Sequence, residues 1–191
     1  MSFFRKYDFH IGSIRSGQQY RMFTSAFLHA DIMHLAFNMI TLWFFAPIVI
    51  AFMGDLTFLL VYVGSLAFGS LLTLMLHKED YSYRAIGASG AVTGVLYSAI
   101  LLNPHMEIGM FFIPIGIPAY LFGIIYLLYS IYGMKAKNDN IGHTAHFGGA
   151  IGGYAITLMY RPNLFVEDTL TVILLALPIV ILFIMERTGR L

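Results

Sequence analysis

The sequence predicts an all-α protein: a polytopic transmembrane bundle of about six helices that forms one membrane domain, residues 1–191. Of these 191 residues, 59% are hydrophobic and only 11% are charged, whereas a soluble domain carries about 25% charged residues. The charges cluster in short segments, and long apolar stretches separate them. Open backbone is not tolerated in lipid, and these stretches lack the two-residue alternation of barrel strands, so helices are expected.

The first 33 residues form a predicted interfacial segment. Aromatic residues such as Phe3 and Phe9 are mixed with bases such as Arg5 and Arg21. The segment is therefore too polar to span a bilayer and too aromatic for a solvated tail, which is typical of chain lying at the membrane surface. No apolar stretch follows the first bases, so the segment is not a signal peptide.

Six apolar stretches follow, each bounded by charges or turn residues. They are Leu35–Met53, Leu56–Leu76, Gly87–Leu102, Ile108–Met134, Ala145–Tyr160 and Thr169–Met185. Two prolines lie in the first half of the fourth stretch, so its helix is expected to start near Pro118. We divide the chain into the interfacial segment, a core at 34–160 and an extra C-terminal span at 161–191.

The third and fifth stretches are predicted to be unusually short. Each has about 16 residues, or about 24 Å of helix, against roughly 30 Å of hydrocarbon. Short spans imply a thinned bilayer or a water-filled cavity above the helix end. Both of them begin with polar residues, and polar residues inside a membrane are functional candidates.

Ser89 and His146 are the first such candidates. Ser89 lies in Gly-Ala-Ser-Gly at the start of the third stretch, and His146 lies in Ala-His-Phe-Gly-Gly at the start of the fifth. Glycines four residues apart follow each of them, at 90 and 94 and at 149 and 153, so the two helices can pack closely. Their starts lie on the same side of the membrane, as a serine nucleophile and its histidine base require. Ordinary helix packing for the serine and an interfacial position for the histidine are the structural alternatives.

His34 and Asn38 are the second pair. They are four residues apart and share one face at the start of the first stretch, on the side of Ser89. An imidazole and an amide aimed at one point suit a developing oxyanion, although they can also form a purely structural pair. None of the ten acidic residues lies inside a stretch, so a two-residue dyad is favoured over a triad.

Three blocks of this sequence together resemble the rhomboid family of intramembrane serine proteases. They are Phe-Leu-His-Ala-Asp-Ile-Met-His-Leu-Ala-Phe-Asn within 21–38, Gly-Ala-Ser-Gly and Ala-His-Phe-Gly-Gly, in the family's order and spacing. The resemblance implies a catalytic dyad of Ser89 and His146. It implies an oxyanion hole made by His34, Asn38 and the backbone N–H of Ser89.

The resemblance also carries implications for the rest of the chain. Residues 20 and 21 stand where the family often has Trp-Arg, in a loop that lies half in the membrane. The fourth stretch and the segment 135–144 are implied to help admit substrate. The partners are then transmembrane protein substrates and the lipid bilayer.

Three features depart from the family pattern. The family has a span before the interfacial loop, which is not found in residues 1–20, so either this member lacks that helix or the chain starts downstream of its natural start. Thr93 stands where an aromatic residue often stacks on the histidine, so His146 is expected to be held otherwise, with Phe147 as one candidate. All eleven bases except Arg161 lie on the side of Ser89, which the positive-inside rule assigns to the cytoplasm. The resemblance instead implies an active site facing outside, in a bacterial cell membrane.

Other classes of function are less favoured by the sequence. A net charge of +1 gives no basic surface for nucleic acid, and the absence of cysteine excludes thiolate and cysteine-based metal chemistry. A non-catalytic rhomboid-like protein that binds membrane clients is the main alternative. Four histidines could form a metal or ion site, namely His29, His34, His143 and His146. No His-Glu-x-x-His motif supports that site, so neither metal nor cofactor is predicted.

Overall fold

Six long helices form the body of the described part of the chain, one at each predicted apolar stretch. The computed structural model describes residues 3–110, 113–136 and 141–191. The long helices are α4 (Ile32–Met53), α5 (Asp55–Leu76), α6 (Ser89–Leu102), α7 (Ala119–Ala136), α8 (His143–Tyr160) and α10 (Thr169–Arg187). The predicted helical bundle is confirmed, and α7 begins directly after Pro118 as expected.

Short elements precede and connect these helices. They are α1 (Phe3–Tyr7), β1 (Phe9–His10), α2 (Ile11–Arg15), α3 (Arg21–Thr24), a 3-10 turn (Ser25–Phe27), β2 (Arg84–Ala85), β3 (Glu107–Met110), β4 (Ile113–Pro118) and α9 (Leu164–Glu167). Strands β1 and β2 pair antiparallel, as do β3 and β4. Neither two-stranded sheet was predicted from the sequence.

Local side chains and glycines set several helix ends. Asp31 caps α4 by accepting a hydrogen bond from the His34 backbone N–H at 2.8 Å, and Asp168 caps α10 through the Thr171 N–H. Such caps satisfy backbone donors that the first helical turn leaves without partners. Gly54 has a φ of 80°, a conformation that favours glycine, and it separates α4 from α5.

Helix length agrees with the prediction at α6 but not at α8. Within the described ranges, α4, α5, α7 and α10 are long and apolar enough to cross a membrane. Helix α6 has 14 residues, so a short third span is confirmed. The prediction of an equally short fifth span is wrong, because α8 begins two residues earlier than expected, at His143, and has 18 residues.

Helix α6 occupies the centre of the bundle. Every residue from Gly90 to Leu102 is buried, whereas Asn38 and Val49 are the buried residues of α4. The large apolar side chains on the outside of α4 include Trp43, which is 79% exposed. An apolar exterior around a packed centre is the arrangement expected of a protein whose solvent is lipid.

Glycines bring α8 against α6 and α5. A Cβ added at Gly149 would collide with the backbone carbonyl of Gly90, and one at Gly153 would collide with that of Gly94. On the other side, a Cβ at Gly148 would lie 2.7 Å from the Cα of Gly69 in α5. The predicted contact between two glycine faces is therefore confirmed, and it sets how closely the starts of α6 and α8 approach.

A buried ion pair joins the N-terminal segment to the loop before α6. The Asp8 carboxylate accepts hydrogen bonds from Arg21 at 2.8 Å and from Arg84 at 2.7 Å. Phe9 and His10 pair with Ala85 and Arg84 in the β1–β2 sheet. Both contacts fix the loop that leads into Ser89.

Candidate active site

Ser89 and His146 meet at the starts of α6 and α8. The Ser89 Oγ lies 2.6 Å from the His146 Nε2, which is hydrogen-bonding distance for a hydroxyl and an imidazole. The two side chains are 57 positions apart in the chain. The glycine contacts between α6 and α8 therefore place a potential nucleophile beside a potential base.

Gly87 lies in the loop before Ser89, where both the backbone conformation and the available space require a glycine. Its φ of 122° favours glycine, and its N–H donates to the Ser25 carbonyl at 2.9 Å. A Cβ added there would lie 2.8 Å from the His34 Nε2 and 3.7 Å from the Ser89 Oγ. Gly87 thus leaves space between these two side chains that any larger residue would fill.

His34 presents a ring nitrogen to this space. The Ala30 N–H donates to the His34 Nδ1 at 3.4 Å, so the neutral ring carries its proton on Nε2, the nitrogen near Gly87. His29 packs edge-on against His34, with ring centroids 5.0 Å apart. Burial and the neighbouring His34 lower the pKa of His29, which favours the neutral form that packs there.

Asn38 is buried one turn farther along α4. Its side-chain nitrogen donates to the His34 carbonyl at 3.0 Å. A carboxamide nitrogen has two N–H donors, and this bond uses one of them. The structure therefore places His34 and Ser89 on either side of Gly87, and it shows Asn38 bonded to the backbone of its own helix.

Tyr126 of α7 contacts the far side of the His146 ring. Its hydroxyl lies 2.9 Å from the His146 Nδ1 and 3.3 Å from the Thr93 Oγ1. The Tyr126 and His146 rings are nearly parallel, at 19°. The aromatic residue against His146 thus comes from α7, whereas Phe147, the candidate named from the sequence, is fully buried in the core.

The histidines do not assemble a metal centre in the part of the chain that the structure describes. No group of three or more His, Asp or Glu side chains there could hold an ion. His143 packs edge-on against His146 and Tyr129, and His29 lies against His34 on another element. The described residues therefore do not bring the four histidines together as the ligands of one ion, which was the alternative considered from the sequence.

A rhomboid domain matches residues 16–163 of this chain, which is most of its length. The chain belongs to the rhomboid family. The matched range starts inside the predicted interfacial segment and ends just beyond the predicted core. No solved structure matches this rhomboid.

Curated relatives agree with the family assignment. The chain is 31% identical to putative rhomboid protease YdcA of Bacillus subtilis, over 76% of this chain and 69% of that protein. It is 32% identical to the mitochondrial RHOMBOID-like protein 12 of Arabidopsis thaliana and 33% identical to rhomboid protease GluP of Bacillus subtilis, over 73% and 74% of this chain. The chain spans 46% of the plant protein and 26% of GluP.

The names of two relatives indicate a class of function. YdcA is named as a putative rhomboid protease and GluP as a rhomboid protease. The apolar helices of this rhomboid make it a multi-pass membrane protein. Both bacterial and mitochondrial proteins are among the relatives.

Sequence reasoning missed the contact between Tyr126 and His146 and the burial of Asp8. Tyr126 is one of twelve tyrosines and lies inside an apolar stretch, where a tyrosine is ordinarily a packing residue. The one available signal was Thr93, whose small side chain requires something else beside His146. Asp8 lies 76 positions from its partner Arg84, and no local pattern indicates such a pairing.

Proposed function

We propose that this rhomboid is an intramembrane serine endopeptidase that cleaves transmembrane segments through a Ser89–His146 dyad. The observation that carries the proposal is the 2.6 Å contact between the Ser89 Oγ and the His146 Nε2. A serine hydroxyl is a weak nucleophile on its own and needs an adjacent base to accept its proton. The family and the named protease relatives support the same class of reaction.

The reaction follows from the proton positions. The Nε2 of His146 accepts the Ser89 proton as Oγ attacks the scissile carbonyl carbon, which gives a tetrahedral intermediate. The imidazolium then donates that proton to the leaving amide nitrogen, and the C–N bond breaks to leave an acyl-enzyme. A water molecule attacks the ester while His146 accepts its proton, and the proton returns to Ser89 as the second product leaves.

The oxyanion is the next requirement of this reaction. His34 Nε2–H, the Ser89 backbone N–H and the second N–H of Asn38 are the proposed donors. The position of the His34 ring beside Gly87 supports its part in this set. Losing one such donor costs on the order of 100-fold or more in rate.

Water reaches the acyl-enzyme through a small cavity beside Ser89. The cavity has a volume of about 30 Å³, and its lining includes Ser25, Ser70 and Gly90. A cavity needs about 10–15 Å³ to hold one water, and hydroxyl groups in the lining give that water partners. We therefore assign the hydrolytic water to this cavity.

The substrate helix must unwind before Ser89 can attack. Inside an α-helix, each backbone carbonyl accepts an internal hydrogen bond, so cleavage is expected near helix-breaking or small residues. Ser89 lies at a helix start, which places the reaction near one membrane edge. The proposed substrates are therefore transmembrane segments with a weak helical turn at that edge.

The test uses purified protein in liposomes with a model transmembrane substrate. Wild type is expected to cleave the substrate and to react with a fluorophosphonate probe, whereas Ser89→Ala and His146→Ala lose cleavage but still insert. Labelling should map to Ser89. Cleavage by Ser89→Ala would refute the nucleophile, and a wild-type protein that neither cleaves nor labels would favour the non-catalytic client-binding alternative.

We further propose that the site faces outside, in a bacterial cell membrane. The bacterial relatives support the kind of membrane, and the family resemblance supports the orientation. The concentration of bases on the side of Ser89 opposes that orientation. Reporter fusions after Arg190 and within residues 54–55 decide between the two orientations. A cytoplasmic reporter signal after Arg190 would refute the proposed orientation.

A further inference from the structure

We propose that Tyr126 is the positioning residue of the His146 base, supplying from α7 the third group that a serine–histidine pair uses to orient its imidazole. The inference deepens the proposed peptidase function and depends on it. In a triad, a carboxylate bonds to the histidine nitrogen that faces away from the serine. Here a phenol hydroxyl occupies that place.

The geometry singles out the hydroxyl as the acting group. The Tyr126 Oη lies 2.9 Å from the His146 Nδ1, on the opposite side of the ring from the Ser89 contact. The two rings are nearly parallel, but their centroids are 6.2 Å apart. That offset is too large for a close face-to-face stack, and it fits two rings joined in line through an O···N hydrogen bond.

The direction of each hydrogen bond follows from the reaction. Because Nε2 must accept the Ser89 proton, the neutral ring carries its hydrogen on Nδ1, and Nδ1–H donates to the Tyr126 oxygen. The single Tyr126 hydrogen is then available to the Thr93 Oγ1 at 3.3 Å. A directed series thus runs from Ser89 through His146 and Tyr126 to Thr93, and it fixes the reactive tautomer.

A neutral phenol has a different effect from a carboxylate. Charge-assisted hydrogen bonds are roughly twice as strong as neutral ones, so the Nδ1–H···O bond strengthens once His146 has taken the Ser89 proton. The phenol therefore stabilises the imidazolium without placing a second charge in the bundle. Burying a carboxylate at this depth would carry a large desolvation cost.

Thr93 links this arrangement to α6. It lies four residues after Ser89, on the same helical face, and its side chain is 4% exposed. Its hydroxyl receives the Tyr126 hydrogen, while its small size leaves room for a ring from α7. Helices α6, α7 and α8 thereby each contribute to a series that holds the dyad.

The experiment measures kcat and KM on the liposome substrate for Tyr126→Phe and Thr93→Val. Tyr126→Phe keeps the ring and removes the acceptor, so kcat is expected to fall about 10- to 100-fold with KM unchanged. Fluorophosphonate labelling of Ser89 should slow by a similar factor. Thr93→Val should lower kcat about 3- to 10-fold, as expected for one neutral hydrogen bond, and should add little in the Tyr126→Phe background.

Tyr120→Phe is the matched control, because it removes a hydroxyl from the same helix at a ring that packs against His105. It is expected to behave as wild type. If Ser89→Ala is inactive while Tyr126→Phe keeps kcat within twofold of wild type, the inference fails and the proposed function stands. Additive losses in the double variant would also overturn it. If Tyr126→Phe does not fold, a Thr93→Val protein with the wild-type kcat would overturn the inference in its place.

Discussion

Gly149→Ala tests whether glycine contacts set the distance between Ser89 and His146. A Cβ at position 149 would lie 2.7 Å from the Gly90 carbonyl carbon and still closer to its oxygen. The obstacle is the backbone of α6, so no side-chain rotation can relieve it. Helices α6 and α8 must therefore separate at this point.

The size of the separation follows from the same contact. Ordinary van der Waals contact begins at 3.4 Å, so relieving the contact with the Gly90 carbonyl carbon alone moves α8 by about 0.7 Å relative to α6. The closer carbonyl oxygen requires a larger movement. His146 lies one turn before Gly149 on α8, and its 2.6 Å contact with Ser89 would lengthen by a similar amount. Overpacking of this kind costs about 1–3 kcal/mol of folding free energy, and a misplacement approaching 1 Å can lower a rate about 100-fold.

Two measurements check this prediction. Unfolding in mixed micelles is expected to show a loss of about 2 kcal/mol in the free energy of unfolding for Gly149→Ala. Labelling of Ser89 by a fluorophosphonate, scored only on the folded fraction, should slow at least tenfold. Gly109→Ala is the control, because a Cβ there meets no atom of the described residues within 4 Å. A Gly149→Ala protein as stable and as readily labelled as wild type would refute the argument.

Two further predictions concern the N-terminal segment. Asp8→Asn removes the charge that pairs with both Arg21 and Arg84, and it is expected to lower the free energy of unfolding by about 3 kcal/mol. The control is Asp80→Asn at an exposed position, which should change that free energy little. Equal unfolding midpoints for the two variants would contradict the prediction. Burial and Arg84 lower the pKa of His10, whose Nδ1 accepts the Ser13 N–H, so this cap is intact near neutral pH. It is lost as pH falls from 6.5 through the lowered folded pKa. Hydrogen exchange of residues 9–15, corrected for intrinsic rates, should therefore rise as the pH is lowered through this range in wild type but not in His10→Asn.

The large features of the fold could be predicted because lipid permits few alternatives. Apolar stretches must become helices, so their number and order followed from hydropathy. The pairing of Ser89 with His146 followed from two further constraints, the parity of the crossings and the repeated glycines. These are properties of single stretches, and a sequence displays them directly.

Contacts between segments that are far apart in the chain could not be predicted from the sequence. The β1–β2 sheet and the Asp8–Arg84 ion pair join segments more than 70 positions apart, and each involves only a few residues. The contact of Tyr126 with His146 was missed for a similar reason, since it depends on how α7 is rotated against α8. The sequence showed that Thr93 left a gap beside His146, but it did not show which helix would fill the gap.

The proposed active-site residues lie on helices that differ in burial: the dyad on α6 and α8, and two oxyanion donors on α4. Ser89 begins the most buried helix, and glycine contacts hold His146 against it, so the dyad belongs to the rigid centre of the bundle. His34 and Asn38 lie near the start of α4, whose surface lies mostly toward lipid. Packed cores resist small displacements, whereas a helix with few buried contacts can shift at lower cost. Substrate entering from the membrane is therefore expected to displace the proposed oxyanion donors more readily than the proposed nucleophile and its base.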